Sequence, residues 1–365
     1  MRILITGATG FIGHQLIKTL GKSHALCVLT RDKQRAEQRL GTTVDQFLTL
    51  DELDSLDGFE AIINLAGEPI AARRWSAAQK RRICESRWQL TEALIERLRH
   101  CCNPPRVWLN ASAIGFYGRQ GGQPITEQEP RVHSEFTHEV CRRWEELALE
   151  AADYGCRVCI LRIGLVLGRE GGALPKMLPA YRLGLGGPLG DGLQQVSWIL
   201  LDDLVAAIAF LLEQESCQGI YHATAPQAVS QREFARLLAQ TLGKPHGLRT
   251  PAWVLRALFG AALEFTEEQP KHLAKRHGTA QQRGFAGQQF GAEQTLQRAQ
   301  QAPFITVQVF VEGLPAIGRT TFLVVEEDHR RQGDLAVFQF QQRLHARPPP
   351  ADGGVGGTEV DTQGI

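Results

Sequence analysis

The sequence lacks an excess of charge of either sign. In 365 residues, 40 Lys and Arg are balanced by 39 Asp and Glu, so the net charge is +1 at pH 7 with neutral His. Proteins that bind nucleic acid or an anionic membrane surface usually carry a basic field, because phosphates dominate the attraction. The balance therefore argues against nucleic acid as a partner.

Long apolar runs are also missing. No stretch approaches the roughly 20 apolar residues that cross a bilayer. The chain opens on a predicted strand and helix, not on the basic, apolar and small-residue layout of a secretion signal. We therefore expect a cytoplasmic protein that does not contact membranes.

The eight cysteines do not form a recognisable metal or redox motif. All lie at or before Cys217, and the C-x-x-C pair of Cys156 and Cys159 has no second pair and no His partner. That pair also falls on a predicted strand, so we expect reduced, mostly buried thiols and no metal site.

The first thirteen residues carry the strongest positive signal. An apolar strand ends at Thr6 and is followed by the spacing G-x-x-G-x-x-G and then by an amphipathic helix. In a βαβ nucleotide-binding unit, such glycines permit a tight turn and a close approach of backbone N–H groups to a pyrophosphate at the helix N-terminus. We expect the cofactor to bind at Gly7, Thr9, Gly10, Phe11, Ile12 and Gly13.

Strands and helices alternate through the first half of the chain. Apolar runs predict further strands, which begin near residues 25, 61, 107 and 157. Helical spacing predicts a long helix opened by Ser76 and Gln79 and another over about 134–154. This alternation, with apolar strands, predicts an α/β fold with a Rossmann-type doubly wound parallel sheet.

The pattern changes after residue 164. A glycine-rich loop over 184–192 precedes a helix that we expect Asp202 or Asp203 to cap, a strand over 219–223, and a helix opened by Ser230. We predict three regions: a Rossmann domain over 1–165, a small C-terminal substrate lid over 166–260, and an atypical tail over 261–365. The tail is rich in Gln, Pro and Gly, a composition typical of disordered segments.

A series of motifs in order resembles one family. The motifs are the opening glycines, Asn64 to Pro69, Arg74-Trp75, Ser86-Arg87, Ser112 to Gly118, Trp144-Glu145, Arg162 to Gly168, Gly186 to Gly190 and Ser197 to Ile199. Together they resemble the YfcH-type epimerase family proteins, a branch of the extended short-chain dehydrogenase/reductases related to nucleoside-diphosphate-sugar epimerases. The likeness covers about residues 1–260.

The resemblance implies an NADP(H) cofactor and assigns several residues to it. Leu65 and Ala66 would line the adenine-ribose side, Arg87 would reach the cofactor from its helix, and Val166 would lie near the nicotinamide. It also implies a small-molecule substrate, a sugar nucleotide or carbonyl compound. By analogy with the superfamily, a homodimer would form through the helices at 77–100 and 134–154.

Two departures from the family pattern stand out. Leu200 follows Trp198-Ile199, where the family usually shows a His. Beyond Gly260 the family would continue with a helix and a closing segment of the lid, which this sequence does not show. A shifted reading frame and a divergent genuine tail both account for the second departure.

The residues after the second strand favour NADP(H) over NAD(H). NAD sites commonly carry a carboxylate there, which would repel a 2′-phosphate. Here Thr30 and Arg31 occupy the place, and an arginine binds phosphate through paired hydrogen bonds. Asp32 keeps an NAD interpretation open. The alternative without a role in cofactor binding is a solvated charge cluster that opens a helix.

The tyrosine and lysine that usually drive chemistry in this superfamily are absent. The four tyrosines, at positions 117, 154, 181 and 221, are followed four residues later by Gly, Val, Leu and Ala. Aligning the helix on Trp144-Glu145 places Thr137 and Cys141 at the expected positions, and neither replaces a phenol activated by an ammonium.

Two hydroxyls are the remaining candidates for catalysis. Ser112 lies where the superfamily's serine or threonine holds the substrate oxygen, and Tyr117 follows the same strand; Glu127 is a weaker acid or base candidate. Alternatively Ser112 bonds to local backbone and Tyr117 only packs. Two functions follow: an NADP(H)-dependent epimerase or reductase with a rewired base, or a non-catalytic NADP(H)-binding sensor or regulator.

Overall fold

The computed structural model describes residues 1–70, 73, 75–120, 125–127 and 131–245. Three features named above lie outside these residues: Arg74, the end of the lid beyond residue 245, and the tail over 261–365.

A parallel sheet forms the centre of the molecule. Within the described ranges it has seven strands, in the order β10-β6-β5-β4-β1-β2-β3. Every neighbouring pair is parallel. The strands are β1 Arg2–Thr6, β2 Ala25–Leu29, β3 Gln46–Leu48, β4 Ala61–Asn64, β5 Val107–Ala113, β6 Arg157–Ile163 and β10 Gly219–Ala223. The predicted Rossmann-type doubly wound sheet is therefore confirmed.

Helices cover both faces of this sheet. On one face, α1 (Phe11–Leu20) and α6 (Leu201–Glu213) pack against Ile3, Ile5 and other apolar side chains of the strands. On the other face, α3 (Ala77–Arg99) and α4 (Phe136–Leu149) cover Leu4, Ile62 and Trp108. Burial on both sides explains why the strand sequences are apolar almost throughout. Helix α2 (Lys33–Leu40) lies where the charged residues after β2 would open a helix, whereas β3 is not predicted by the sequence.

The region after residue 164 forms a smaller layer at one end of the sheet. It contains β7 (Leu165–Leu167), paired with β9 (Trp198–Leu200), and β8 (Gln195–Val196), paired with β11 (Val229–Ser230). Two helices, α5 (Leu174–Arg182) and α7 (Gln231–Thr241), complete it. Tyr181, Trp198 and Phe234 belong to its own apolar cluster. Strand β10, at the position where the sequence predicts a strand, pairs with β6 and belongs to the main sheet.

The first residues of three helices show whether the predicted N-cap residues are correct. Ser76 accepts a hydrogen bond from Gln79 N at 3.2 Å and Ser230 accepts one from Glu233 N at 3.2 Å, so both caps are confirmed. The predicted cap at Asp202 or Asp203 is wrong. Helix α6 begins at Leu201 with Leu200 as its N-cap residue, and both aspartates lie in its first turn.

In the part of the chain that the structure describes, none of the helices combines the length and apolar content needed to cross a bilayer.

Candidate functional site

The turn between β1 and α1 has no room for side chains on its inner surface. Gly7 has a φ of +69°, and a Cβ on it would lie 2.7 Å from the carbonyl carbon of Leu65. A Cβ on Gly13 would lie 2.6 Å from Cα of Ala8. Gly10 precedes α1 without a capping side chain, and the first turn carries no acidic residue. The N–H groups of the first helical turn are thus available to an anion, which fits a pyrophosphate.

Phe11 connects this turn to the region after β7. A Cβ on Gly168 would lie 2.6 Å from its ring, and one on Gly171 would lie 2.5 Å from it. Val166 is close by, since its carbonyl oxygen is 3.0 Å from where a Cβ of Gly172 would be. The Phe11 side chain is therefore packed against glycines, which leaves its backbone N–H as the group that a cofactor would contact.

Thr6 fixes the loop that follows β4. Its hydroxyl donates to Asn64 Oδ1 at 2.7 Å and accepts from the backbone N–H groups of Leu65 and Ala66, each at 3.1 Å. Since Gly7 approaches Leu65 closely, the structure brings the predicted glycine and adenine-side residues together at one edge of the sheet. Their contact with a cofactor stays a prediction.

Arg87 supports the same loop from α3. Its Nη1 donates to the carbonyl oxygens of Glu68 at 3.1 Å and Ile83 at 3.0 Å, and its guanidinium lies 5.1 Å from the ring centre of Trp144. A Cβ on Gly67 would lie 2.6 Å from its Cζ. Burial lowers the pKa of Arg87. Through these contacts Arg87 stabilises the loop after β4. Its contact with the cofactor stays a prediction.

The residues after β2 distinguish the two cofactor interpretations. Asp32 is the N-cap of α2, and its Oδ1 accepts from Arg35 N at 3.0 Å. Thr30 Oγ1 lies 3.3 Å from Asp32 N and Arg31 is exposed. One oxygen of the Asp32 carboxylate is used in capping α2. The guanidinium of Arg31 is therefore more available than this carboxylate to a ligand at the carboxyl edge of the sheet.

A row of polar side chains crosses three strands near their carboxyl ends. Ser112 on β5 is in register with Arg162 on β6, which is in register with His222 on β10. Ser112 donates to Glu145 Oε1 of α4 at 2.5 Å. Arg162 donates to both oxygens of that carboxylate, from Nε at 3.0 Å and from Nη2 at 2.7 Å. The single hydrogen of the Ser112 hydroxyl is therefore committed to Glu145.

Tyr117 belongs to the same network. Arg162 Nη1 donates to its hydroxyl at 2.7 Å, and the hydroxyl lies 2.6 Å from His222 Nε2. Burial raises the pKa of Tyr117 to about 12, and burial together with the charge of Arg162 lowers the pKa of His222 to about 4. At neutral pH both are uncharged, and the tyrosine hydroxyl has a further acceptor in the backbone carbonyl oxygen of Thr126 at 3.2 Å. The catalytic roles of Ser112 and Tyr117 stay predictions, but their burial favours supporting roles.

Glu127 lies at the far end of this network. Its side chain is buried, and its Oε1 accepts from the backbone N–H of His222 at 3.1 Å and lies 3.6 Å from His222 Nδ1. This contact binds the loop after β5 to the sheet.

The amino end of α4 carries the residues at the family's tyrosine and lysine positions. Thr137 packs against the 3-10 turn after β5, since a Cβ on Gly115 would lie 3.2 Å from Thr137 Cβ. Cys141 is buried, and burial raises the pKa of its thiol to about 11, so it remains protonated. Neither side chain is an acid or base near neutral pH.

Sequence reasoning missed the roles of Arg162, Glu145 and His222. One signal was visible: Arg162 is the only charged residue inside the apolar stretch Val158–Ile163. A buried arginine requires a carboxylate partner. Glu145 lies four and eight residues after Cys141 and Thr137, on the same helical face, but sequence alone does not identify which acid faces the strand.

The chain is similar to known proteins over most of its length. The model of the "NAD dependent epimerase/dehydratase family" matches residues 3–223. A curated relative from Arabidopsis thaliana, "Epimerase family protein SDR39U1 homolog, chloroplastic", is 38% identical over 283 residues, which cover 76% of this chain and 81% of the relative. "Epimerase family protein SSP1921" of Staphylococcus saprophyticus is 37% identical over 258 residues, or 70% of this chain and 86% of the relative.

Solved structures show the same likeness. The crystal structure of human epimerase family protein SDR39U1 (isoform2) with NADPH aligns with a TM-score of 0.64 at 32% identity, covering 71% of this chain and 86% of that one. The UDP-glucuronic acid 4-epimerase from Bacillus cereus, in complex with UDP-glucuronic acid and NAD, aligns with a TM-score of 0.58 at 18% identity, covering 72% and 93%. At that identity the second likeness concerns the fold.

Proposed function

The chain belongs to the NAD dependent epimerase/dehydratase family, and we propose that it binds NADP(H) and uses it in an epimerase or reductase reaction on a small molecule. The substrate would be a sugar nucleotide or another carbonyl compound. The extended short-chain dehydrogenase/reductase type of the chain supports this proposal, because members of this fold bind a dinucleotide at the carboxyl edge of the sheet.

The glycine turn before α1 carries the proposal. Gly7, Gly10 and Gly13 leave the inner surface of the turn to backbone atoms, and a Cβ on Gly7 or Gly13 would collide with the chain. A pyrophosphate would be held by the N–H groups of the first turn of α1. When bound, the nicotinamide ring supplies or accepts a hydride.

NADP(H) rather than NAD(H) is proposed on the residues after β2. Arg31 is exposed there, while Asp32 caps α2. A carboxylate engaged in capping is less available to a ribose 2′-OH, and an arginine favours the 2′-phosphate. The human relative was solved with NADPH, which supports the same choice.

Titration of the purified protein with NADPH and NADH, followed by the fluorescence of the reduced nicotinamide, tests the cofactor proposal. We expect saturable binding of both and tighter binding of NADPH. Tighter binding of NADH would contradict the NADP(H) assignment, and no saturable binding of either would contradict the function itself.

A non-catalytic NADP(H) sensor is the second candidate, and one observation favours it. The hydroxyls of Ser112 and Tyr117 are both buried and bonded to neighbours, so neither presents an activated group. Incubation with NADPH and a panel of sugar nucleotides and carbonyl compounds separates the two functions. Oxidation of NADPH that depends on the added compound indicates an enzyme, whereas tight binding without turnover indicates a sensor.

A cytoplasmic location and a homodimer stay predictions. Size-exclusion chromatography with light scattering measures the oligomeric state directly, and a monomer at micromolar concentration would contradict the dimer.

A further inference from the structure

An acid or base is needed wherever a hydride moves between a cofactor and a carbonyl or hydroxyl carbon, because the oxygen must gain or lose a proton. The titratable side chains that the sequence analysis considered are poorly placed for this task. Tyr117, Cys141 and Glu127 are buried, and burial raises the pKa values of the first two. The network residues found only in the structure, Glu145 and His222, are buried as well.

One carboxylate beside the amino end of α4 is more accessible. Glu135 immediately precedes α4, and its side chain is 22% exposed, against 4% for Glu145 and 7% for Glu127. It is the N-cap residue of the helix, but its side chain accepts no capping hydrogen bond. Its Oε1 is 3.5 Å from the Thr137 hydroxyl. The position is at the carboxyl edge of the sheet, where ligands bind in open α/β folds.

The turn after β5 contacts the Glu135 carboxylate and restricts its orientation. A Cβ on Gly118, which has a φ of +62°, would lie 3.1 Å from Glu135 Oε1. Arg119 Nε donates to Glu135 Oε2 at 3.1 Å, with both side chains about a quarter exposed. The turn after β5 thus supplies space for one carboxylate oxygen and a cation for the other, which restricts the side chain to one orientation.

Glu68, after β4, is another half-exposed carboxylate near this edge. Its Oε1 accepts from Gln79 Nε2 of α3 at 3.3 Å, and its backbone N–H is bonded to Ser86 of the same helix. Glu68 is therefore directed toward α3, whereas Glu135 is next to Thr137.

We propose that Glu135 is the proton donor and acceptor of this site. In the direction of reduction, a bound reduced dinucleotide would supply the hydride to the carbonyl carbon, and Glu135 would pass a proton taken up from solvent to the carbonyl oxygen. The products are an alcohol, the oxidised dinucleotide and the Glu135 carboxylate. In the reverse direction the carboxylate takes the hydroxyl proton. The inference rests on the proposed NADP(H)-dependent function and names the residue that replaces the missing tyrosine.

The proposal has a consequence for cofactor binding that needs no substrate. The oxidised nicotinamide ring is cationic and the reduced ring is neutral. A carboxylate beside the reacting ring therefore strengthens binding of the oxidised form relative to the reduced form. Coulomb attraction near a protein surface is strong enough for this difference in affinity to be measured. We expect Glu135→Gln to weaken binding of NADP⁺ relative to NADPH by about fivefold.

Two further variants make the test specific. Arg119→Gln removes the cation beside Glu135, so we expect the opposite shift, a gain of about twofold for NADP⁺ relative to NADPH. Glu139→Gln makes the same chemical change at an exposed position one turn along α4, where we expect no shift. Isothermal titration of each variant with NADP⁺ and NADPH gives the two dissociation constants directly.

The outcomes separate this inference from the proposed function. If the wild-type protein binds neither dinucleotide, the function fails and the inference fails with it. If the wild type binds and Glu135→Gln leaves the NADP⁺-to-NADPH ratio unchanged, the function stands and the role of Glu135 is overturned. Where the compound panel yields turnover, Glu135→Gln is expected to lower kcat by about a hundredfold and Glu139→Gln to leave it unchanged.

Discussion

Arg162 and Glu145 form a buried, two-point ion pair between β6 and α4. Nε to Oε1 is 3.0 Å and Nη2 to Oε2 is 2.7 Å, and the two side chains are 3% and 4% exposed. The same arginine lies 3.4 Å from the ring centre of Phe116. One guanidinium thereby joins a strand, a helix and the turn after β5.

The first prediction concerns this pair. Arg162→Met leaves the Glu145 carboxylate buried without its cation, so we expect the free energy of unfolding to fall by about 3–5 kcal/mol. The exposed pair Arg142 and Glu146, on the same helix, is the control: Arg142→Gln should cost less than about 1 kcal/mol. Urea unfolding measures both. Equal losses in the two variants would contradict the importance of burial.

The second prediction concerns pH and Asp203. Burial, with a smaller effect of the Asp202 charge, raises the pKa of Asp203 from 3.8 to about 8. Below about pH 4 the carboxyl is protonated in the folded and unfolded states alike. As pH rises toward 8, the unfolded state loses this proton while the folded state keeps it, so the free energy of unfolding decreases.

Asp203→Asn removes this pH-dependent term. We expect the variant to be stabilised at pH 8 by on the order of 2 kcal/mol relative to the wild type, and by much less at pH 4. Asp202→Asn, at the exposed neighbour, removes only the smaller cause of the raised pKa, so its pH-dependent stabilisation should be smaller than that of Asp203→Asn. Thermal unfolding across this pH range is the measurement, and a stabilisation equal at both pH values would refute the raised pKa.

The third prediction concerns cofactor choice. Arg31→Glu should weaken NADPH binding by about tenfold or more, because a carboxylate repels the 2′-phosphate, while NADH binding changes little. Lys22→Glu makes a similar charge reversal before β2, at the opposite edge of the sheet, and should affect both cofactors weakly. Fluorescence titration gives the ratio. A parallel loss for both cofactors would show that Arg31 does not recognise the phosphate.

The fourth prediction concerns the glycine turn. Gly13→Ala places a Cβ 2.6 Å from Cα of Ala8, so α1 has to move away from β1. We expect an overpacking cost of about 1–3 kcal/mol and a loss of dinucleotide binding. Gly41→Ala is the control, because nothing lies within 4 Å of its Cβ position, although its φ of +62° costs some stability. It should retain binding, and retained binding in Gly13→Ala would argue against a pyrophosphate at this turn.

Local patterns in the sequence determined the fold class. The apolar strands, the glycines after Thr6 and the serines at residues 76 and 230 act over a few residues, and the parallel sheet and both serine caps are as predicted. A strand that is buried on both faces requires a nearly continuous apolar run. Strand β3, which was missed, has three residues and is too short to form a recognisable apolar run.

The polar network depended on tertiary structure. Ser112, Glu145 and Arg162 are separated along the chain by 33 and 17 residues, and only the strand register and the packing of α4 on β5 and β6 bring them together. Which hydrogen-bond partner a hydroxyl finds, and whether an acid is buried or accessible, is decided by distances across the fold. Sequence spacing does not contain those distances, and for this reason it located the edge of the sheet but did not identify the groups that meet there.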